Sequence, residues 1–105
     1  MQNALRAAIV ACALFGFCAR AGAQDQALIE AGEALYDEHC AMCHGEKLRG
    51  AGAVPDLRAL RASDRARFDE RVTEGQGQMP AWRGVLNEAE LNQLWAYIRV
   101  HAFDK

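Results

Sequence analysis

The chain has 105 residues, 14 acidic and 12 basic side chains, a formal net charge of −2 and 51% hydrophobic residues. That is material for one small domain, and the mild acidity argues against nonspecific binding to nucleic acid or to an anionic membrane surface. Of its cysteines, Cys12 and Cys18 fall in a leading apolar stretch and only Cys40 and Cys43 lie beyond it. A disulfide framework is therefore excluded unless those two pair with each other.

The first element is not expected to belong to the fold. Arg6, an apolar run from Ala7 to Ala19, and the small-residue pattern Ala21-Gly22-Ala23 before Gln24 read as a secretory signal peptide over residues 1–23. The apolar run is shorter than the ~20 residues a bilayer crossing needs. An uncleaved N-terminal anchor is the alternative reading. Cleavage after Ala23 leaves residues 24–105 as one exported, periplasmic domain without a membrane span. Arg6 and Arg20 leave with the signal, so 10 basic residues then face 14 acidic ones. A small exported domain without disulfides needs another staple.

Asp25 is placed to cap a helix from Gln26 to about His39, with Leu28, Ala31, Leu35 and Tyr36 at helical spacing on one side. Gly32 lies on that side too. A glycine inside a helix costs about 1 kcal/mol relative to alanine, so its presence predicts close approach by another backbone.

Cys40-Ala41-Met42-Cys43-His44 follows directly. Two thiols three positions apart, with a histidine after the second, is the attachment spacing for covalent haem. One helical turn sets the thiols to add across the two vinyl groups on one porphyrin edge, and neutral imidazole then ligates the iron. A thioredoxin-like pair would follow a strand, and none is predicted before Cys40. Structural zinc would need four ligands, usually as two pairs; His39, Cys40, Cys43 and His44 are too crowded to wrap one ion.

Arg49 to Pro55, with Gly50 and Gly52, reads as a loop, and Leu57 to Leu60 as one short turn. Ser63 or Asp64 caps a helix reaching about Glu74, with Phe68 and Val72 inward and Gly75 as its stop. Arg58, Arg61, Arg65, Arg67 and Arg71 crowd this region, which could dock an acidic partner. Asp64, Asp69 and Glu70 interleave with them, and that mixture reads as an ordinary solvated face.

Gly75-Gln76-Gly77-Gln78-Met79-Pro80-Ala81-Trp82 is the second informative stretch. Glycines let the backbone lie close to a flat ligand, and Pro80 biases Met79 toward an extended conformation. A thioether is a soft neutral ligand that suits the sixth position of iron and raises the reduction potential. Met1 leaves with the signal and Met42 sits between the attachment cysteines, so Met79 is the candidate. His39 and His101 are alternative sixth ligands, read instead as surface histidines.

Asn87 and Glu90 form a capping box for the last helix. Leu91, Leu94, Trp95, Ile98 and Ala102 make one apolar stripe that must be buried, with Tyr97 at its edge facing Gly32 or Tyr36.

Taken together, Gly32-x-x-x-Tyr36-x-x-x-Cys40-x-x-Cys43-His44-Gly45, Pro55-Asp56-Leu57, Gly77-x-Met79-Pro80-Ala81-Trp82 and Leu94-x-x-Tyr97-Ile98 resemble a class I c-type cytochrome over nearly the whole exported segment. The likeness extends to small bacterial cytochromes and to the cytochrome domains of quinoprotein dehydrogenases. It implies an all-α cytochrome c fold of three to four helices around one haem c, with the first and last helices crossing. It also implies Pro55 offering its carbonyl to the proton on His44, and Trp82 packing near the haem edge or a propionate.

The expected cofactor-binding residues are Cys40, Cys43, His44 and Met79, with His44 and Met79 on the iron and no catalytic residue. Iron with two protein ligands has no open position, so the expected function is one-electron transfer between redox proteins, a dehydrogenase donor and an oxidase or cytochrome acceptor. The protein would act as a monomer or in a transient complex. Two other readings stand beside it: a haem enzyme or gas or redox sensor with a displaceable Met79, and a haem-stapled accessory subunit of a dehydrogenase or oxidase.

Overall fold

The computed structural model describes residues 22–50, 52 and 54–104. The expected signal segment thus lies outside the described residues, apart from Gly22 and Ala23. Every extended element among the described residues is helical: α1 (22–39), α2 (Ala41–His44), α3 (Arg65–Glu74) and α4 (Glu88–His101). Single 3-10 turns occupy Glu46–Leu48, Leu57–Ala59 and Ala62–Asp64. An isolated bridge pairs Gln76 with Met79. This is the all-α class expected.

The start of α1 differs from expectation. Residues 22–25 are already helical and exposed, so Asp25 lies inside the helix and caps nothing. Ala23 and Gln24 are good helix formers and carry the helix through that position. Leu28, expected on the inner side, is 39% exposed, because burial on α1 starts only farther along, at Ile29 and Gly32.

Gly32 performs the role its cost implied. A Cβ built there would stand 1.9 Å from the Gln93 carbonyl oxygen and 2.9 Å from Tyr97 Cβ, so α1 and α4 meet backbone to backbone at this residue. One turn on, the rings of Tyr36 and Tyr97 pack with centroids 5.4 Å apart. Tyr97 is therefore core and not edge, buried along with Leu94, Ile98 and Ala102. Complete burial of a side chain the size of Leu94 contributes roughly 1.5–3 kcal/mol.

The start of α4 is closed as expected. Asn87 Oδ1 accepts from the Glu90 N–H at 2.8 Å, and Glu90 Oε1 accepts from the Asn87 N–H at 3.0 Å. At α3, Asp64 occupies the cap position, but its carboxylate turns back to accept the Arg61 N–H at 2.8 Å. Gly75 stops α3 at φ 73°, donating its N–H to Arg71 O. Phe68 and Val72 enter the core from α3, and Leu48 and Leu86 enter it from loops. Leu48 was not legible from periodicity, because it sits in a 3-10 turn.

Candidate haem site

α2 is a single turn in which the N–H groups of Cys43 and His44 both donate to Cys40 O, at 3.2 and 2.9 Å. It presents free thiols: Cys40 is half-buried against the core and Cys43 is exposed. Burial, with a smaller contribution from Cys43, pushes the Cys40 thiol up to about 11, so it is neutral. Met42, between them, is 97% exposed and points away from the core.

The chain after His44 folds back over it. Gly45 has φ 85°, and a Cβ there would meet Gly50 N at 2.5 Å. A Cβ on Gly50 would meet His44 O at 2.4 Å. Lys47 and Leu48 take left-handed backbone angles, at φ 53° and 66°. Such residues cost about 1–3 kcal/mol each, offset here by near-complete burial of Leu48. Tyr36 Oη donates to Gly45 O at 2.6 Å and so anchors the turn to α1. Burial raises the Tyr36 hydroxyl to about 12, keeping it a donor.

His44 carries an unsatisfied atom. Its Nδ1 is buried without a hydrogen-bond partner, alone in this among the described residues' buried side-chain polar atoms. Burial lowers the imidazole pKa, while the Pro55 carbonyl favours the protonated ring without reaching hydrogen-bond geometry. The hydrogen bond from His44 to the Pro55 carbonyl that the resemblance implies is thus not formed at Nδ1 in this structure. A neutral imidazole with a carbonyl ready for its second nitrogen suits an iron ligand.

Met79 closes a tight turn. Gln76 and Met79 exchange backbone hydrogen bonds at 3.1 and 2.9 Å, while the Trp82 and Arg83 N–H groups donate to Val72 O and Thr73 O at the end of α3. Gly75 has no room for a side chain: a Cβ there would lie 2.6 Å from Met79 O and 2.8 Å from Ala81 N. Met79 is half-buried on the same core that Cys40 packs against.

His39, just before Cys40, meets the Trp82 ring edge-on with centroids 4.9 Å apart, joining the end of α1 to the loop carrying Met79. Both informative stretches therefore lie against one core. His39 and His101 are not the surface residues expected. Both are half-buried in ring contacts, His39 against the sequence-distant Trp82 and His101 against Tyr97 one helical turn back, at 4.8 Å.

These groups fit a covalent haem: free thiols on one turn, an orphaned imidazole nitrogen beside a carbonyl, and a thioether on a stiff loop. Among the described residues no cluster of three or more His, Cys, Asp or Glu side chains could hold an ion. The arginine-rich face is ion-paired as expected, with Arg65 on Asp69 at 2.8 Å and Arg67 on Asp64 at 3.2 Å. Arg58, however, pairs with Asp56, a partner that went unrecognised. The signal was an Asp two residues before an Arg in a predicted turn, where the carboxylate can hold the Arg58 N–H at 2.9 Å and its guanidinium together.

Comparison with known proteins places the chain in a family. The family described as cytochrome c oxidase, cbb3-type, subunit III matches residues 27–98. The cbb3-type cytochrome c oxidase subunit CcoP of Azospirillum brasilense is 37% identical over 84 residues, covering 70% of this chain and 28% of that protein. Quinohemoprotein alcohol dehydrogenase ADH-IIG of Pseudomonas putida is 34% identical over 85 residues, 76% of this chain and 11% of the relative. Cytochrome c6 of Chlorolobion braunii is 32% identical over 76 residues, 64% of this chain and 83% of that protein. The chain thus spans little more than a quarter of the oxidase subunit, and less of the dehydrogenase. No solved structure matches the chain. No described helix is long and apolar enough to cross a membrane. The chain belongs to the matched family: it is a c-type cytochrome domain, and its cofactor is haem c, an iron porphyrin held covalently.

Proposed function

We propose that this domain is a one-electron carrier with haem c joined through Cys40 and Cys43 and its iron ligated by His44 and Met79. The observation that carries this reading is that the turn bearing Cys40 and the loop bearing Met79 pack on one core, with His39 and Trp82 in contact between them. When bound, the haem supplies a one-electron iron couple. Cys40 and Cys43 hold it by thioether bonds, and α2 keeps their spacing. His44 would present a neutral imidazole to the iron, and the Pro55 carbonyl would accept the proton on its other nitrogen once the site is loaded. The turn closed by Gly75 and the Gln76–Met79 pair holds the Met79 thioether against displacement.

Ligation on both faces disfavours inner-sphere chemistry, so the domain transfers electrons without being an enzyme itself. Export by residues 1–23 to the periplasm belongs to the same reading. The partners are redox proteins meeting the domain in brief, small interfaces. Relatives named as an oxidase subunit and a quinohemoprotein dehydrogenase favour a second role, as the cytochrome part of such an assembly.

The test is the absorption spectrum of protein matured in cells that attach haem. Pigment retained after acid-acetone extraction and a sulfur-to-iron charge-transfer band in the oxidised form, lost in Met79→Ala, are expected. A wild-type spectrum without that band, or reduced protein that binds carbon monoxide readily, would refute methionine ligation and favour the sensor or enzyme reading.

A further inference from the structure

We propose that the Tyr36 hydroxyl is a positioning group for the axial histidine, acting through the turn that leaves His44. The inference rests on His44 being an iron ligand, and it concerns the main chain that carries the ring. The peptide joining His44 to Gly45 is held at both of its polar groups. The Gly45 N–H donates to Ala41 O at 2.8 Å. The His44 carbonyl faces Gly50 so closely that a Cβ on Gly50 would stand 2.4 Å from its oxygen and 3.3 Å from His44 Cα. Gly50 reaches that place because the chain reverses between the two glycines, with Lys47 and Leu48 in consecutive left-handed conformations at φ 53° and 66°. Residues with a Cβ resist that conformation, so the reversal persists only where neighbouring structure over-determines it.

Two contacts supply that support. Leu48 is 1% exposed and belongs to the core cluster that contains Tyr36 and Tyr97. Tyr36, itself wholly buried, donates from Oη to Gly45 O at 2.6 Å, and its ring packs on Tyr97 with centroids 5.4 Å apart. The hydroxyl thus ties the entry of the strained turn to the crossing of α1 and α4. Without it the left-handed pair relaxes, Gly50 draws back from the His44 carbonyl, and the root of the imidazole gains freedom. An imidazole that samples several orientations donates less well to iron, which costs the ferric state more than the ferrous one. Fixing the ligand's root is therefore a second use of a side chain whose ring already fills the core.

The experiment compares the haem-loaded full chain with Tyr36→Phe, which keeps the ring and removes only the hydroxyl, and with Gly50→Ala, whose methyl presses on the His44 carbonyl. Phe68→Leu, which thins the core where α3 meets Trp95 at 5.1 Å, is the control for general loosening. Electron paramagnetic resonance of the ferric protein and redox titration are the readouts. Tyr36→Phe is expected to broaden or split the low-spin ferric signal and to raise the potential, by about 59 mV if the ferric preference falls tenfold. Gly50→Ala is expected to alter the same signal. Phe68→Leu is expected to melt earlier with signal and potential unchanged. Tyr36→Phe changes a single heavy atom, so it carries the test even if Gly50→Ala does not mature.

Tyr36→Phe with the parent's signal and potential, however far its melting falls, would overturn the inference and leave the hydroxyl as a structural support. The same spectral change in Phe68→Leu would overturn it too. A wild-type protein with covalent haem but no histidine ligand in its electron paramagnetic resonance spectrum would instead sink the ligand assignment. The two failures are therefore distinguishable.

Discussion

Gly32→Ala is the sharpest test of how the helices are held together. The added methyl would stand 1.9 Å from Gln93 O, 2.6 Å from Gln93 C and 2.9 Å from Tyr97 Cβ. The first two are backbone atoms of α4, so no rotamer change relieves the overlap. Reaching ordinary contact at 3.4 Å requires the helices to part by roughly 1.5 Å, a gap over which dispersion contacts fall off steeply. Tyr36, Tyr97, Leu94 and Ile98 all pack around that crossing. Overpacking a close contact costs about 1–3 kcal/mol, and the backbone clash places this variant at the upper end. Alanine's better helix propensity returns about 1 kcal/mol. The net loss is about 2 kcal/mol, or a Tm lower by about 10 °C for a domain of this size. Thermal unfolding of the haem-loaded protein, followed by far-ultraviolet circular dichroism, measures it. A Tm equal to or above the parent's would mean that propensity alone governs Gly32 and that the close crossing is not formed in solution.

Tyr36→Phe removes the donor to Gly45 O and strands a part-buried carbonyl, so urea unfolding is expected to show a loss of about 1–2 kcal/mol with an unchanged m-value. Replacing Cys40 and Cys43 together by alanine removes haem attachment; circular dichroism is expected to show no cooperative melt, and a helical, cooperatively melting apoprotein would contradict the view that haem completes this small core. Asp56 and Asp104 are held below the usual carboxylate range by hydrogen bonds from Arg58 and Arg99 respectively. Because their folded pKa values are depressed, their contribution is present above the unfolded value near 3.8 and is lost as pH falls through the folded values. Stability followed by Tm is thus expected to drop below about pH 4, and Arg58→Ala should flatten part of that acid slope. An identical slope in parent and variant would show that this pair contributes nothing.

Local signals carried the chemistry. The spacing of Cys40, Cys43 and His44 lies within one helical turn, and the capping box of Asn87 and Glu90 closes within four residues. The stripe on α4 and the apolar side of α3 followed from helical periodicity, and Gly32 announced a close approach because glycine is otherwise unfavourable in a helix. Tertiary contacts decided the rest. The Tyr36 bond to Gly45 O, burial of Leu48 in a left-handed turn and the His39–Trp82 contact depend on chain segments folding back, which no periodicity encodes. Arg99 and Leu60 are 39 residues apart, so their hydrogen bond exists only after α4 has docked. The sequence by itself determined which groups can hold a haem, because ligand chemistry and short-range spacing travel with residue type. Only the tertiary structure decided how stiffly His44 and Met79 are backed, because that stiffness comes from packing and hydrogen bonds between segments distant in the chain.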